Sequence, residues 1–155
     1  MFLVSDSLEA RAREIRSWLP KHPSVALVVA AVYFEWTLSR AIVGLSRRPN
    51  KEVRQDLERV RGFDAYKDVW RRETGHLHDA KTLPQVVRDW HGVRTAFEAR
   101  NVIVHGRDRY TRNMALPKVD SLLAGVSDVC AYCLSHGLDV NARLPQRRQK
   151  KGMQR

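Results

Sequence analysis

Arg100-Asn101-Val102-Ile103-Val104-His105 places a permanent cation, a neutral amide and an imidazole within about one and a half helical turns. The planar guanidinium of arginine matches phosphate oxygens and keeps its charge at any ordinary pH. Histidine is the side chain whose usual pKa lies near neutrality, so it can both take and give a proton. Such a set can cleave RNA without a metal. His105 would move a proton at the ribose 2′-OH or at the leaving oxygen. Arg100 would stabilise the charge that builds on the phosphorus centre. Asn101 would orient the imidazole or bind a phosphate oxygen.

The helix that must carry these residues constrains how they act. At 100° per residue, Val86, Trp90, Val93, Phe97 and Val104 form an apolar stripe facing a core. Arg94, Glu98, Asn101 and His105 form a polar stripe beside it, and Arg100 and Arg107 lie on the other flank. Arg100 and His105 diverge by about 140° on a straight helix. A site within one chain therefore needs long side chains that wrap round, or a distortion at Gly106. Two antiparallel motif helices in a symmetric dimer solve the same problem, each chain giving an arginine and a histidine to a shared cleft. A helix end at Gly106 would leave orphan carbonyls that favour a protonated His105; continuation through Arg109 is the alternative. Arg94, Arg107, Arg109 and Arg112 are candidate contacts to an RNA backbone, with Arg109 and Arg112 reading equally well as solvated surface charges. In the purely structural alternative, Arg100 pairs with an acid such as Glu35 and His105 caps carbonyls.

The segment resembles the R-x4-6-H signature of the HEPN superfamily, whose members commonly carry a polar residue straight after the arginine. More of the chain resembles the bacterial branch labelled RiboL-PSP-HEPN: Tyr33-Phe34-Glu35, the run Gly62-Phe63-Asp64-Ala65-Tyr66-Lys67-Asp68-Val69-Trp70, His136-Gly137-Leu138-Asp139-Val140, and Arg143-Leu144-Pro145. The resemblance covers most of residues 25 to 145. It implies a four- or five-helix bundle that dimerises along the motif helix. It also implies a metal-independent endoribonuclease, in toxin–antitoxin, phage-defence or RNA-processing roles, although some members are not nucleases. A subset paired with nucleotidyltransferase antitoxins has a tyrosine two residues after the histidine. This chain has Arg107 there, with Tyr110 nearby.

The rest of the chain reads as the support for that helix. Ser5 or Ser7 can cap a first helix running toward Trp18, with Pro20 stopping it. Pro23 can open a second, apolar helix reaching about Leu45, the expected centre of the bundle. Asn50 can cap a charged helix over residues 51–60 that Gly62 ends, and Asp64 begins a short helix that stops at Gly75. The segment from His76 to Lys81 reads as a polar loop, and Thr82 as the cap of the motif helix. Residues 113–115 read as a turn, after which Pro117 opens a final helix with Val119, Leu122, Leu123, Val126, Val129, Cys130, Cys133 and Leu134 inward and Gly137 at its end. No alternating strand pattern, repeat or glycine-rich phosphate loop is present.

The 155 residues carry a net charge of +11, which favours a polyanionic partner, nucleic acid ahead of a membrane surface. The last fifteen residues, Asn141 to Arg155, hold six Arg or Lys and no acid, so they read as a basic, flexible tail after a single helical domain over residues 1–140. The tail is either a solubilising end or an RNA-anchoring arm. The apolar run from Val25 to Phe34 is about half of what spans a bilayer and ends at Glu35, so it reads as a core helix rather than a membrane segment. Cys130 and Cys133 have no second pair to complete a zinc site, and His76, His78 and His91 have nothing to fix a metal geometry.

The expectation is therefore an all-α, cytoplasmic, homodimeric endoribonuclease that needs no metal or other cofactor. Arg100, His105 and Asn101 would be catalytic. The partners would be RNA, a second copy, and a protein antitoxin or activator, with no membrane. The rivals are a non-catalytic RNA- or nucleotide-binding module, and an interaction protein whose motif helix is only an interface. A helix-turn-helix DNA reader lacks its short recognition helix and tight turn.

Overall fold

In this computed structural model residues 7–148 are described, and they form seven helices with no strand among them. In chain order these are α1 (Leu8–Trp18), α2 (Pro23–Leu45), α3 (Asn50–Glu58), α4 (Ala65–Thr74), α5 (Leu83–Val86), α6 (Trp90–Val104) and α7 (Arg112–Ser135). Four of them, α1, α2, α6 and α7, pack on one another as a bundle. The remainder dress its side: α3 and α4 lie on α2, and α5 lies between α4 and α7.

Local chemistry explains most boundaries. Ser7 caps α1, its Oγ accepting from the backbone N–H of Ala10 at 3.1 Å. Pro23 opens α2, where its missing N–H costs nothing. The side chains of Ala26, Leu27, Ala30, Phe34, Leu38, Ala41 and Ile42 on α2 are fully buried, which makes it the central helix. By length and composition alone α2 also suits a membrane crossing. Here α1, α3, α4, α6 and α7 cover much of that apolar surface.

Two helices begin elsewhere than the sequence suggests. Thr82 caps only the short α5, through a capping box with Gln85. Val87 is then extended, Arg88 is fastened by its backbone and guanidinium to Asp128, and Asp89 starts α6 by accepting from Gly92 N–H at 3.0 Å. Val86 is thus not on the motif helix. Thr111 caps α7 in the same way, so residues 113–115 are helical and Pro117 lies inside the helix. At that position the ring forfeits one backbone bond. Asn50 is the first residue of α3 rather than a side-chain cap.

α6 runs antiparallel to α2. Phe97 meets Phe34 edge-on at 6.0 Å, and beyond α6 the Tyr110 N–H reaches back to Ser24 Oγ at 3.1 Å. α7 runs parallel to α2, with Gly125 against Phe34 and, past its end, Leu138 against Gly44. A polar clamp ties the C-terminal end of α2 to α3 and α4: buried Glu73 accepts from Ser46 Oγ at 2.7 Å and from Arg48 and Arg72 at 2.8 Å each. Burial alone would raise the Glu73 carboxyl, but these three hydrogen bonds together outweigh it and hold it below the usual glutamate range.

The packed body does not end at residue 140. After Gly137, residues 138–148 form a strap along α2 and α3, and Leu138, Val140 and Leu144 are buried. Asn50 binds the strap at both faces of its amide, donating to Pro145 O at 2.8 Å and accepting from Arg147 N–H at 3.0 Å. The described part of the basic segment, 141–148, is therefore docked rather than free. Its apolar anchor Leu144 and its satisfied backbone account for this. The remainder of the expected tail, 149–155, lies outside the described residues.

Candidate functional site

α6 ends where the motif ends. Gly106 has φ +66°, its N–H bonds to Ile103 O at 2.9 Å, and Arg107 N–H bonds to Val102 O at 3.0 Å. This is the paired closure that favours glycine at a helix end. His105 is the C-cap residue, and its imidazole is exposed. The helix does not continue through Arg109.

Arg100 points the other way. It is half-buried, and its charge acts on Glu35 of α2 and Tyr66 of α4. Burial pushes the Glu35 carboxyl up, and Arg100 partly offsets the push. Burial likewise raises the Tyr66 hydroxyl, with Glu35 adding to it. The Arg100 Nε is buried without an acceptor. Its Nη1 donates to Asn101 Oδ1 at 3.0 Å. The Asn101 amide thus serves the guanidinium, and only its backbone oxygen meets His105, whose N–H it accepts at 3.1 Å. The fold joins Arg100 to Asn101 and brings neither side chain to the imidazole.

The other arginines differ among themselves. Arg94 is engaged by Glu98 at 3.6 Å and by Asp64 at 3.9 Å. Arg107, Arg109 and Arg112 are exposed, and their guanidinium groups have no carboxylate partner among the described residues. No three His, Cys, Asp or Glu converge as a metal site among the described residues. Cys130 and Cys133 are buried, and burial raises their thiols to about 11 and about 12, which keeps them protonated.

Two residues depart from the apolar stripes drawn on the sequence. Val104 is 55% exposed, and Leu134 on α7 is 60% exposed. Val25 and Val32 of α2 are also half exposed, and the antiparallel course of α2 and α6 puts Val25 at the same end of the molecule as Val104. Around α6 the order is Arg100, Val104, Asn101, His105, so an uncovered valine sits inside the polar constellation. Tyr66 had no assigned role from sequence. The only signal for it was its place in the aromatic run before Trp70. No family description, curated protein or solved structure matches the chain.

Proposed function

We propose that the chain is a metal-independent endoribonuclease of the HEPN type, acting in the cytoplasm as a homodimer that pairs two α6 helices. The observation that carries this reading is the uncovered face of the last turns of α6, where exposed Asn101 and His105 flank an exposed Val104. Val25 is exposed at the same end of the molecule, and two uncovered valines beside chemically capable groups suit a surface that another copy completes. Two-fold pairing would bring Arg100 of one copy toward His105 of the other, a meeting that their divergence of about 140° hinders within one chain.

In the proposed reaction the ribose 2′ oxygen attacks the adjacent phosphorus and the bond from phosphorus to the 5′ oxygen breaks. The 2′-OH proton leaves to a base and the 5′ oxygen gains one, so the products are a 2′,3′-cyclic phosphate and a 5′-OH. His105 carries one of these transfers. Arg100, aligned by Asn101 Oδ1, holds the charge on the phosphoryl oxygens. Arg107, Arg109 and Arg112 follow the RNA backbone. Arg94, already engaged by two acids, contributes less. A toxin or phage-defence role, held in check by a protein antitoxin or activator, completes the proposal.

The test is end-mapped RNA cleavage in excess EDTA by the wild type, by Arg100→Ala, by His105→Ala, and by heterodimers of the two variants. Each single variant is expected to lose at least about 100-fold in rate. Purified heterodimers should recover about one half of wild-type activity, because each holds one intact composite site of two. Cleavage surviving in both single variants removes the assignment. Verified heterodimers with no recovery would place the site within one chain.

A second reading has its own observation. Arg100 faces Glu35 and Tyr66, as a structural arginine would. In a non-catalytic RNA- or nucleotide-binding module, Arg100→Ala would lower the melting temperature while the wild type left bound RNA uncut.

A further inference from the structure

We infer that the cavity between α2, α3 and the C-terminal strap is a binding site for a nucleoside polyphosphate. This inference does not rest on the nuclease reading and concerns a different part of the molecule. The cavity measures about 550 Å³, within the range of small-ligand pockets. Arg40, Lys51, Arg54, Arg143, Arg147 and Arg148 line it, and no acidic residue does.

Two of these cations are fixed in place by groups that carry no net charge. Arg40 donates from Nε to Val140 O at 2.7 Å and from Nη2 to Ala142 O at 2.6 Å. Arg147 reaches Val43 O at 3.3 Å and Gly44 O at 3.1 Å, at the C-terminal end of α2, where the helix dipole favours a cation. The other four, Lys51, Arg54, Arg143 and Arg148, are exposed and have no carboxylate partner among the described residues. Several arginines elsewhere are matched with an acid, as in Arg16 with Asp120 at 3.0 Å, Arg88 with Asp128 at 2.9 Å and Arg48 with Asp56 at 2.8 Å. At this cavity the chain gathers like charges instead. Burial first, then Arg11 and the cavity's own Arg54, push the Arg40 pKa down, with Asp139 partly offsetting them.

Convergence selects the ligand class. A nucleic-acid strand spreads its charge at one per phosphate along the backbone, and a protein follows it with a track of cations. Six cations around a single concavity suit several negative charges at one point, which a di- or triphosphate group supplies. A second cavity of about 390 Å³ adjoins the first, sharing Arg40, Arg54 and Leu144. Its walls include Trp36, Leu57, Ser39 and Glu58. Trp36 is braced by the guanidinium groups of Arg11 and Arg40, 5.1 and 4.9 Å from its ring centre. This gives a base a rigid, largely apolar seat, and the Glu58 carboxylate can accept from an exocyclic amine.

Calorimetric titration of the full chain with sodium tripolyphosphate, the four nucleoside triphosphates, the monophosphates and a 12-nucleotide RNA tests the assignment, with His105→Ala as the host so that RNA stays intact. Triphosphates are expected to bind more tightly than tripolyphosphate, monophosphates more weakly than either, and the melting temperature to rise with ligand. Arg54→Ala combined with Arg143→Ala should weaken triphosphate binding about 100-fold, since each lost charge-assisted contact removes about one factor of ten. The unliganded melting temperature should not fall, because neither side chain has a partner to lose. Absence of tripolyphosphate and triphosphate binding overturns the inference, as does binding that the double variant leaves unchanged. RNA binding that needs Arg54 and Arg143, without triphosphate binding, would make the cavity part of an RNA track instead.

Discussion

At the residue scale, the motif divides into an inward arginine and an outward histidine. Which residues these are is plain from their order in the chain. Which way each points depends on what α2 and α4 present, and neither lies near the motif in sequence. Glu35 shows the consequence. Its carboxyl is raised in the folded chain, so the folded state holds that proton more tightly than the unfolded state does. The contribution of Glu35 to stability is therefore greatest when it is protonated, and it declines as pH rises from the ordinary glutamate value of 4.5 through the raised folded value. Glu35→Gln removes the ionisation. It should raise the melting temperature by a few degrees at pH 7 and leave it nearly unchanged below pH 4.5. Thermal melts at the two pH values check this. A variant less stable at pH 7 would mean that Arg100 needs the carboxylate more than burial penalises it.

At the element scale, the bundle depends on how closely α7 approaches α2 and α6. A Cβ on Gly125 would lie 2.8 Å from Phe34 Cε2 and 3.1 Å from Val93 Cγ2, and both side chains are fully buried. Alanine at a helical glycine normally gains about 1 kcal/mol from propensity. Overpacking a filled core costs about 1–3 kcal/mol, and here nothing near the new methyl is free to move. Gly125→Ala should therefore lower stability despite the better helix former, read as a fall in the urea midpoint without a change in slope. An unchanged or higher midpoint would show that the crossing has slack. The break before α6 belongs to the same scale. Thr82 and Asp89 are both good caps, and periodicity alone favoured the longer helix. The anchorage of Arg88 on Asp128 of α7 decided in favour of two helices.

At the scale of the whole molecule, the strap determines where the body ends. Leu144 is 8% exposed, and burying such a side chain is worth about 1.5–3 kcal/mol. Asn50, Arg40 and Arg147 add hydrogen bonds between strap and body. A chain ending at residue 140 should melt several degrees below the full-length protein. Equal melting would mean that residues 141–148 contribute no stability. The same strap supplies Arg143, Arg147 and Arg148 to the basic cavity, so the truncated chain should also lose the predicted triphosphate binding.

The sequence by itself determined the all-α class, the central place of α2 and the closure of α7 at Gly137, and it offered Gly106 as one of two ends for α6. Each follows from short-range chemistry: apolar periodicity, a proline at a first turn, or a glycine able to take positive φ. The tertiary structure alone decided that Arg100 faces Glu35 and Tyr66, that Val104 is left uncovered, and that part of the basic segment is docked. It also gathered six cations from α2, α3 and the strap around one cavity. Those outcomes depend on contacts between residues far apart in the chain. Arg40 and Ala142 are joined across 102 positions by one hydrogen bond, and no local pattern encodes such a meeting.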